Sequence, residues 1–301
     1  MVIFSEFSII IFSCFCCCLS LFCLFSEVLL HSDSTGICGT DIHLWKNAQI
    51  ADFVVNRPYV LGHEPSATVM EVGSNVTHLK VGDRVAIEPA IPCFLCDFCR
   101  SGRYNLCPVS NKQSHGLPCA DGSLRRYYTH FAPFCFKLPD NVSLEEGAMV
   151  EALAVVVHAC RRVNVHIGEH VLICGAGPVG IMAMLCARAF GATQIFITDI
   201  NQSRLELAKE LGADGTYWID VKKPFNDREV AAEIVKLMGD HPDCSIECSG
   251  VQTSQAMAIH ATKSGGRVGI VGLGAPTNSV PLSSAAMREV DLIGVCRIKD
   301  E

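Results

Sequence analysis

Four cysteines, Cys93, Cys96, Cys99 and Cys107, follow the pattern C-x2-C-x2-C-x7-C, and thiolates so spaced can converge on one tetrahedral zinc. Pro92, Gly102 and Pro108 supply the turns such a loop needs. A disulfide reading requires an oxidising compartment, and cysteines two residues apart are too close to pair comfortably. A nucleic-acid-binding zinc ribbon would be basic, whereas the cluster carries Arg100 and Arg103 against Asp97 in a chain of net charge -7. A structural zinc is therefore expected at the four cysteines, and a nucleic-acid partner is not.

A second motif, Gly175-Ala176-Gly177-Pro178-Val179-Gly180, follows the apolar run Val171-Leu172-Ile173-Cys174 and precedes a helical stretch. In that context Gly175 permits the tight turn, Gly177 admits a pyrophosphate, and Gly180 allows close packing of the helix that begins around Pro178 and Val179 and attracts phosphate at its N-terminus. Asp199, nineteen residues beyond Gly180, ends the next strand pattern. Its carboxylate can accept from adenosine ribose hydroxyls and repel a 2′-phosphate, which favours NAD over NADP. Arg204 either flanks the ribose or adenine or is a solvated helix residue.

Chemistry beside such a cofactor needs a further group. Cys38, His63, Glu64 and Glu151 lie at three separate points in sequence that one zinc could gather. Cys38 stands between glycines in Gly36-Ile37-Cys38-Gly39-Thr40-Asp41, an unusual setting for a merely buried thiol. Pro65 biases the His63-Glu64 pair away from helix. Taken singly, His63 also reads as a hydrogen-bonded core histidine, Glu64 as a surface acid and Glu151 as a helix-capping charge. Spacing alone leaves these alternatives open.

The elements that must position these residues fall into two patterns. From Glu27 to about Glu151 short apolar runs alternate with turn residues, as at 67–72 and 84–88, which suits an irregular β-rich domain. Beyond His166 the strand candidates 170–174, 194–199, 216–220, 244–248, 267–273 and 291–296 alternate with helical stretches 181–190, 204–211 and 229–238. That alternation predicts an α/β unit, a parallel sheet wound on both faces. Domains are expected at 27–160, with a zinc lobe at 93–107, and at 161–301. The chain is globular in composition, with 50% hydrophobic and 18% charged residues. Its 18 cysteines divide into five in an N-terminal apolar stretch, four in the cluster and nine scattered. Cys174, Cys186, Cys244 and Cys248 fall within strands or helices, as buried free thiols do, so a reducing compartment, the cytoplasm, is expected. Residues 7–25 carry no charge and are long enough for one membrane crossing. They lack the basic start and small-residue cleavage site of a signal peptide. Residues 1–26 are thus either a membrane anchor or a segment foreign to the fold.

The whole arrangement resembles the zinc-dependent medium-chain alcohol dehydrogenases, and within them the sorbitol (polyol) dehydrogenase branch. The resemblance runs from Glu27 to about Arg297, through 27–30, 36–41, Val60-Leu61-Gly62-His63-Glu64, 81–85, the four-cysteine lobe, 102–106, 137–140, His158-Ala159-Cys160-Arg161-Arg162 and 174–180. It implies a GroES-like catalytic domain followed by a Rossmann domain. By that similarity Cys38, His63 and Glu64 are ligands of a catalytic zinc, Glu151 ligates directly or through the zinc-bound water, Thr40 relays a proton and His43 is its next station.

The activity so implied is oxidation of a secondary hydroxyl of a sugar alcohol, with hydride transfer to NAD. The alternatives are xylitol, arabinitol or threonine as substrate, or a non-catalytic zinc- and NAD-binding product. Val271, Gly272 and Leu273, at the end of the fifth strand of the second domain, are expected to hold the nicotinamide, since ligands sit beyond the carboxyl ends of parallel strands. The natural place for both reactants is a cleft between domains. Family members form dimers or tetramers through the sheet edge at 291–296. The chain departs from the family pattern at 1–26, where β-strands are expected, at Leu44, where tyrosine is common, at Ile298 after Arg297, and at Glu301, beyond which the family has a return to the catalytic domain. Weakened stability follows from those departures as an expectation.

Overall fold

The computed structural model describes residues 23–51 and 53–299. Most of the apolar N-terminal segment considered above lies outside them. Among the described residues no helix is long and apolar enough to cross a membrane. Internal contacts divide the chain into two units, the first running to Glu151 and taking in Ile298 and Lys299, the second being Ala152–Arg297.

In the first unit the elements are β1 (Glu27–Gly36), α1 (Gly39–Asn47), the hairpin β2 (Gln49–Ile50) and β3 (Phe53–Val54), β4 (Glu64–Val72), β5 (Arg84–Ile87), the single turn α2 (Asp97–Arg100), β6 (Tyr127–Phe131), β7 (Cys135–Lys137) and α3 (Leu144–Ala148). Five strands form an antiparallel sheet in the order β6-β1-β4-β5-β7. Alternate residues Val28 and Leu30 of β1 and Ala67 and Val69 of β4 enter one core with Val85, Ile87, Tyr128 and Cys135, as the two-residue period of a half-buried sheet dictates. Tertiary pairing extends the expected strand at 67–72 back to Glu64. The proline at 65 agrees with that extended start.

Helix α4 (Val150–Arg162) contains the division between the units, which falls after its second residue, Glu151. The second unit continues with β8 (His170–Cys174), α5 (Pro178–Ala189), β9 (Gln194–Asp199), α6 (Gln202–Glu210), β10 (Gly215–Trp218), α7 (Asp227–Met238), β11 (Cys244–Glu247), α8 (Gln252–Ala261), β12 (Arg267–Ile270), α9 (Leu282–Met287) and β13 (Asp291–Gly294). All six strands are parallel, in the order β10-β9-β8-β11-β12-β13. Strand β8 shows why its sequence is continuously apolar. Val171 and Ile173 enter the core shared with α5, while Leu172 and Cys174 enter the core shared with α7 and α8, so both faces are covered. Sheet order reverses between β8 and β11, the place where doubly wound folds bind ligands. Three of the expected strands, at 216–220, 267–273 and 291–296, end two or three residues earlier than their apolar patterns. Those patterns run on into the loops that follow.

Candidate functional site

The first constellation is assembled by three short pieces of the first unit. Cys38 lies at the N-cap of α1, where its backbone N–H donates to Asp41 Oδ2 at 3.0 Å. The other carboxylate oxygen, Asp41 Oδ1, accepts the Gly62 N–H at 3.1 Å and stands 3.4 Å from His63 Nδ1. One buried aspartate thus ties the helix start to the turn before His63. That turn is gripped from its other side. Gly122, Ser123 and Leu124 donate backbone N–H bonds to the carbonyls of Val60, Gly62 and Leu61 at 2.7, 2.9 and 3.0 Å. A Cβ on Gly116 or Gly122 would come within 2.3 or 2.2 Å of the Gly62 carbonyl oxygen, so only glycines allow the loop this close.

The result is that one ligand atom each from Cys38, His63 and Glu64 lies within 4.8 Å of the others, all on half-buried side chains. Sulfur, imidazole nitrogen and carboxylate oxygen are donors that zinc accepts. Burial pulls the His63 pKa down, but the Asp41 carboxylate, Cys38 and the charge of Glu151 outweigh it and hold it well above the ordinary value. So much negative charge around an imidazole only 12% exposed suits a cation, and the residues fit zinc. Glu151, in the first turn of α4, is felt by His63 through its charge but is not among the three convergent groups. Thr40 and His43 lie in α1, half-buried, with the His43 ring nitrogen Nδ1 3.5 Å from Asn47 Nδ2. Sequence reasoning quoted Asp41 within a motif without giving it a role. Its position three residues after Cys38 was the available signal, since an acid there closes a capping box.

The second constellation is the lobe. Cys93, Cys96, Cys99 and Cys107 also bring their sulfurs within 4.8 Å of one another. The separations Cys96–Cys99 and Cys93–Cys99 are 3.5 and 4.0 Å. Sulfurs set tetrahedrally about 2.3 Å from a zinc are about 3.8 Å apart, whereas a disulfide is about 2.05 Å long. Phe94 adopts φ 60°, which bends the backbone so that the Leu95 and Cys96 N–H groups point at Cys93 Sγ, at 3.5 and 3.4 Å. Those donors lower the Cys93 pKa. Burial acts to raise Cys107, yet N–H groups of Cys93, Ser110 and Val109 bring it down to about 6. Cys99 is pushed up by burial and its neighbouring thiols to about 12, so a metal has to displace its proton.

The third constellation belongs to the second unit. Gly175 follows β8 at φ +99°. A Cβ on Gly180 would lie 1.8 Å from the Gly175 carbonyl oxygen, while one on Gly177 would meet nothing within 4 Å. The turn therefore requires Gly180 for its own closure and leaves open space before Gly177, as a pyrophosphate cradle needs, with Pro178 and Val179 beginning α5. Asp199 ends β9, its Oδ2 accepting the Ala176 N–H at 2.6 Å and its Oδ1 the Asn201 N–H at 2.8 Å. Arg204 Nη1 stands 3.9 Å from Asp199 Oδ2. Val271, Gly272 and Leu273 follow β12, and the Val271 and Gly272 N–H groups donate to the Glu247 carbonyl at 2.9 and 2.8 Å.

Comparison with known proteins agrees with this geometry. The profile of the alcohol dehydrogenase GroES-like domain matches residues 26–140, and that of the zinc-binding dehydrogenase family matches residues 178–301. Sorbitol dehydrogenase of Bos taurus is 52% identical over 272 residues, which is 90% of this chain and 75% of that protein. Among solved structures, an oxidoreductase/dehydrogenase of unknown specificity from Escherichia coli superposes with a TM-score of 0.84 at 33% identity, over 93% of this chain and 79% of that one. L-idonate 5-dehydrogenase from the same organism superposes with a TM-score of 0.81 at 28% identity, over 91% and 77%.

Proposed function

This chain belongs to the zinc-dependent medium-chain alcohol dehydrogenase family, in its sorbitol dehydrogenase branch, and on that premise we propose which of its residues perform the reaction. It is an NAD-dependent zinc polyol dehydrogenase, oxidising a secondary hydroxyl of a small polyol to the ketose. Sorbitol is the substrate we assign. The observation that carries the assignment of the centre is the convergence of Cys38, His63 and Glu64.

Cys38, His63 and Glu64 hold the catalytic zinc, with Glu151 completing the site directly or through water. Cys93, Cys96, Cys99 and Cys107 hold a structural one. When bound, the zinc makes the substrate hydroxyl acidic near neutral pH and NAD accepts the hydride. Thr40 takes the proton from that hydroxyl and passes it toward His43. Asp41 keeps His63 in its ligating orientation. Asp199 accepts from the adenosine ribose hydroxyls, with Arg204 flanking it. Gly175, Gly177 and Gly180, with the N-terminus of α5 at Pro178 and Val179, receive the pyrophosphate. Val271, Gly272 and Leu273 carry the nicotinamide. In this reading residues 27–160 form the catalytic domain and 161–301 the nucleotide domain. The edge strand β13 is the surface through which copies associate, and the protein works in the cytoplasm.

The test is zinc content together with sorbitol-dependent NADH formation on purified protein. One zinc in each of the two constellations, with turnover abolished by Cys38→Ala, is the expected result. Turnover undiminished in Cys38→Ala would overturn the assignment.

A further inference from the structure

Glu247 is the last residue of β11, fully buried, and its side chain takes no part in the chemistry assigned above. Its carboxylate is nonetheless fully engaged. Oε1 accepts the Ser249 N–H at 2.9 Å and the Ser249 hydroxyl, and Oε2 accepts the Gly250 N–H at 3.0 Å. Both oxygens receive donors, the pattern of an ionised carboxylate. No salt bridge to Glu247 is found among the described residues, so backbone and hydroxyl dipoles alone offset its charge.

The same residue reaches the loop after β12 by two routes. Its carbonyl accepts the Val271 and Gly272 N–H groups. Its carboxylate fixes the turn at Gly250, φ +72°, against which the loop is pressed. A Cβ on Gly272 would lie 2.2 Å from the Gly250 nitrogen, one on Gly274 1.9 Å from the Gly250 oxygen, and one on Gly250 2.6 Å from the Leu273 carbonyl carbon. Three glycines are thus packed backbone to backbone beneath residues 271–273. The shape of that loop depends on where the Glu247 carboxylate holds Gly250.

We propose that Glu247 is a positioning residue for the nicotinamide loop, and that its buried negative charge biases this site toward the oxidised, cationic dinucleotide over the neutral reduced one. The inference rests on the reading of the chain as an NAD-dependent dehydrogenase. Glu247→Gln is nearly isosteric but removes the charge and turns an amide donor toward one of the present donors. Glu247→Asp keeps the charge on a shorter arm. Ser249→Ala removes the hydroxyl donor to Oε1 and, with it, the acceptor of the Val251 N–H, while leaving the Glu247 charge in place.

The experiment is calorimetric titration of the zinc-loaded full chain and each variant with NAD+, NADH and AMP, alongside hydrogen exchange of residues 271–274. Wild type binds all three. Glu247→Gln is expected to weaken NAD+ by about tenfold and NADH several-fold less, to leave AMP unchanged, and to speed exchange in 271–274. Glu247→Asp recovers the wild-type ratio of NAD+ to NADH affinity, and Ser249→Ala loses a smaller part of the NAD+ affinity without changing that ratio. Equal loss for NAD+ and AMP in the Gln variant, or NAD+ and NADH weakened alike in it while Asp restores neither, overturns the proposal. So does an unchanged NAD+ affinity in both Glu247→Gln and Ser249→Ala. Should wild type bind neither AMP nor NAD+, it is the dehydrogenase reading itself that falls.

Discussion

Gly36 and Glu64 are cross-strand partners at the end of the β1–β4 ladder, and the glycine leaves the space that the carboxylate occupies: a Cβ on Gly36 would lie 2.2 Å from Glu64 Oε2. The glycine is therefore part of how the acid is aimed toward Cys38 and His63. Its backbone is extended and needs no special φ, so the requirement is for room.

Gly36→Ala should accordingly disturb the catalytic centre more than the fold. The Glu64 side chain has to leave its place to admit the methyl group. Misplacing a group at a metal site typically costs about 10–100-fold in metal affinity or activity. Metal analysis should find the catalytic zinc weakened and the four-cysteine zinc retained, with turnover reduced by a similar factor. Normal zinc content with wild-type turnover would mean that Glu64 is not held by this contact.

Two glycines of one motif should fail in opposite ways. At Gly180 a methyl group meets the Gly175 carbonyl oxygen at 1.8 Å, so Gly180→Ala must open the turn between β8 and α5. Overpacking of that kind typically costs about 1–3 kcal/mol, visible as a lower urea midpoint. At Gly177 nothing lies within 4 Å of the added methyl. Gly177→Ala should leave the urea midpoint in place and lower NAD affinity, because the methyl stands where the pyrophosphate approaches. A Gly177 variant that loses stability but binds NAD normally would contradict the cradle assigned here.

Legibility differed between these features for a physical reason. The C-x2-C-x2-C-x7-C lobe and the glycine turn are local, so spacing in sequence fixes which atoms meet. Strands β8 and β9 were readable to the residue because burial on both faces leaves an uninterrupted apolar run. The pairing of Gly36 with Glu64 depends on antiparallel register between strands far apart in sequence. Likewise the grip of Gly116 and Gly122 on Gly62 is set by a loop far downstream of it in sequence. Nothing in the local pattern around Glu247 announces that its carboxylate would be buried and would cap its own turn.

Asp41 links two of the zinc donors, holding the Cys38 N–H and the Gly62 N–H on separate oxygens while facing His63 at 3.4 Å. Asp41→Asn keeps the shape and removes the charge, and one of its two acceptors becomes a donor. The catalytic zinc should bind about 10–100-fold more weakly, measured by competition with a chromophoric chelator. The lobe zinc, held by other residues, serves as the internal reference. If both zincs weaken equally, the effect is global and Asp41 has no special hold on His63.

Acid should destabilise the first unit through a histidine pair that belongs to neither zinc site. His115 is half-buried and His130 buried, with ring centroids 4.7 Å apart. Burial, reinforced by Arg125, pulls the His115 pKa down to about 4, and burial with the neighbouring His115 holds His130 well below its ordinary value. Both rings are neutral in the fold. An unfolded histidine titrates near about 6.5, so as pH falls from there toward 4 the unfolded chain takes up protons that the native chain refuses. The contribution is complete above the unfolded pKa and lost below it, on the order of 3 kcal/mol at pH 4 from His115 alone. Urea midpoints at pH 7.5 and 5, with zinc in excess, should converge when His115→Phe is compared with wild type, because the variant no longer has that proton to refuse. An acid slope identical in the two proteins would place the sensitivity elsewhere, in the thiolates of the lobe.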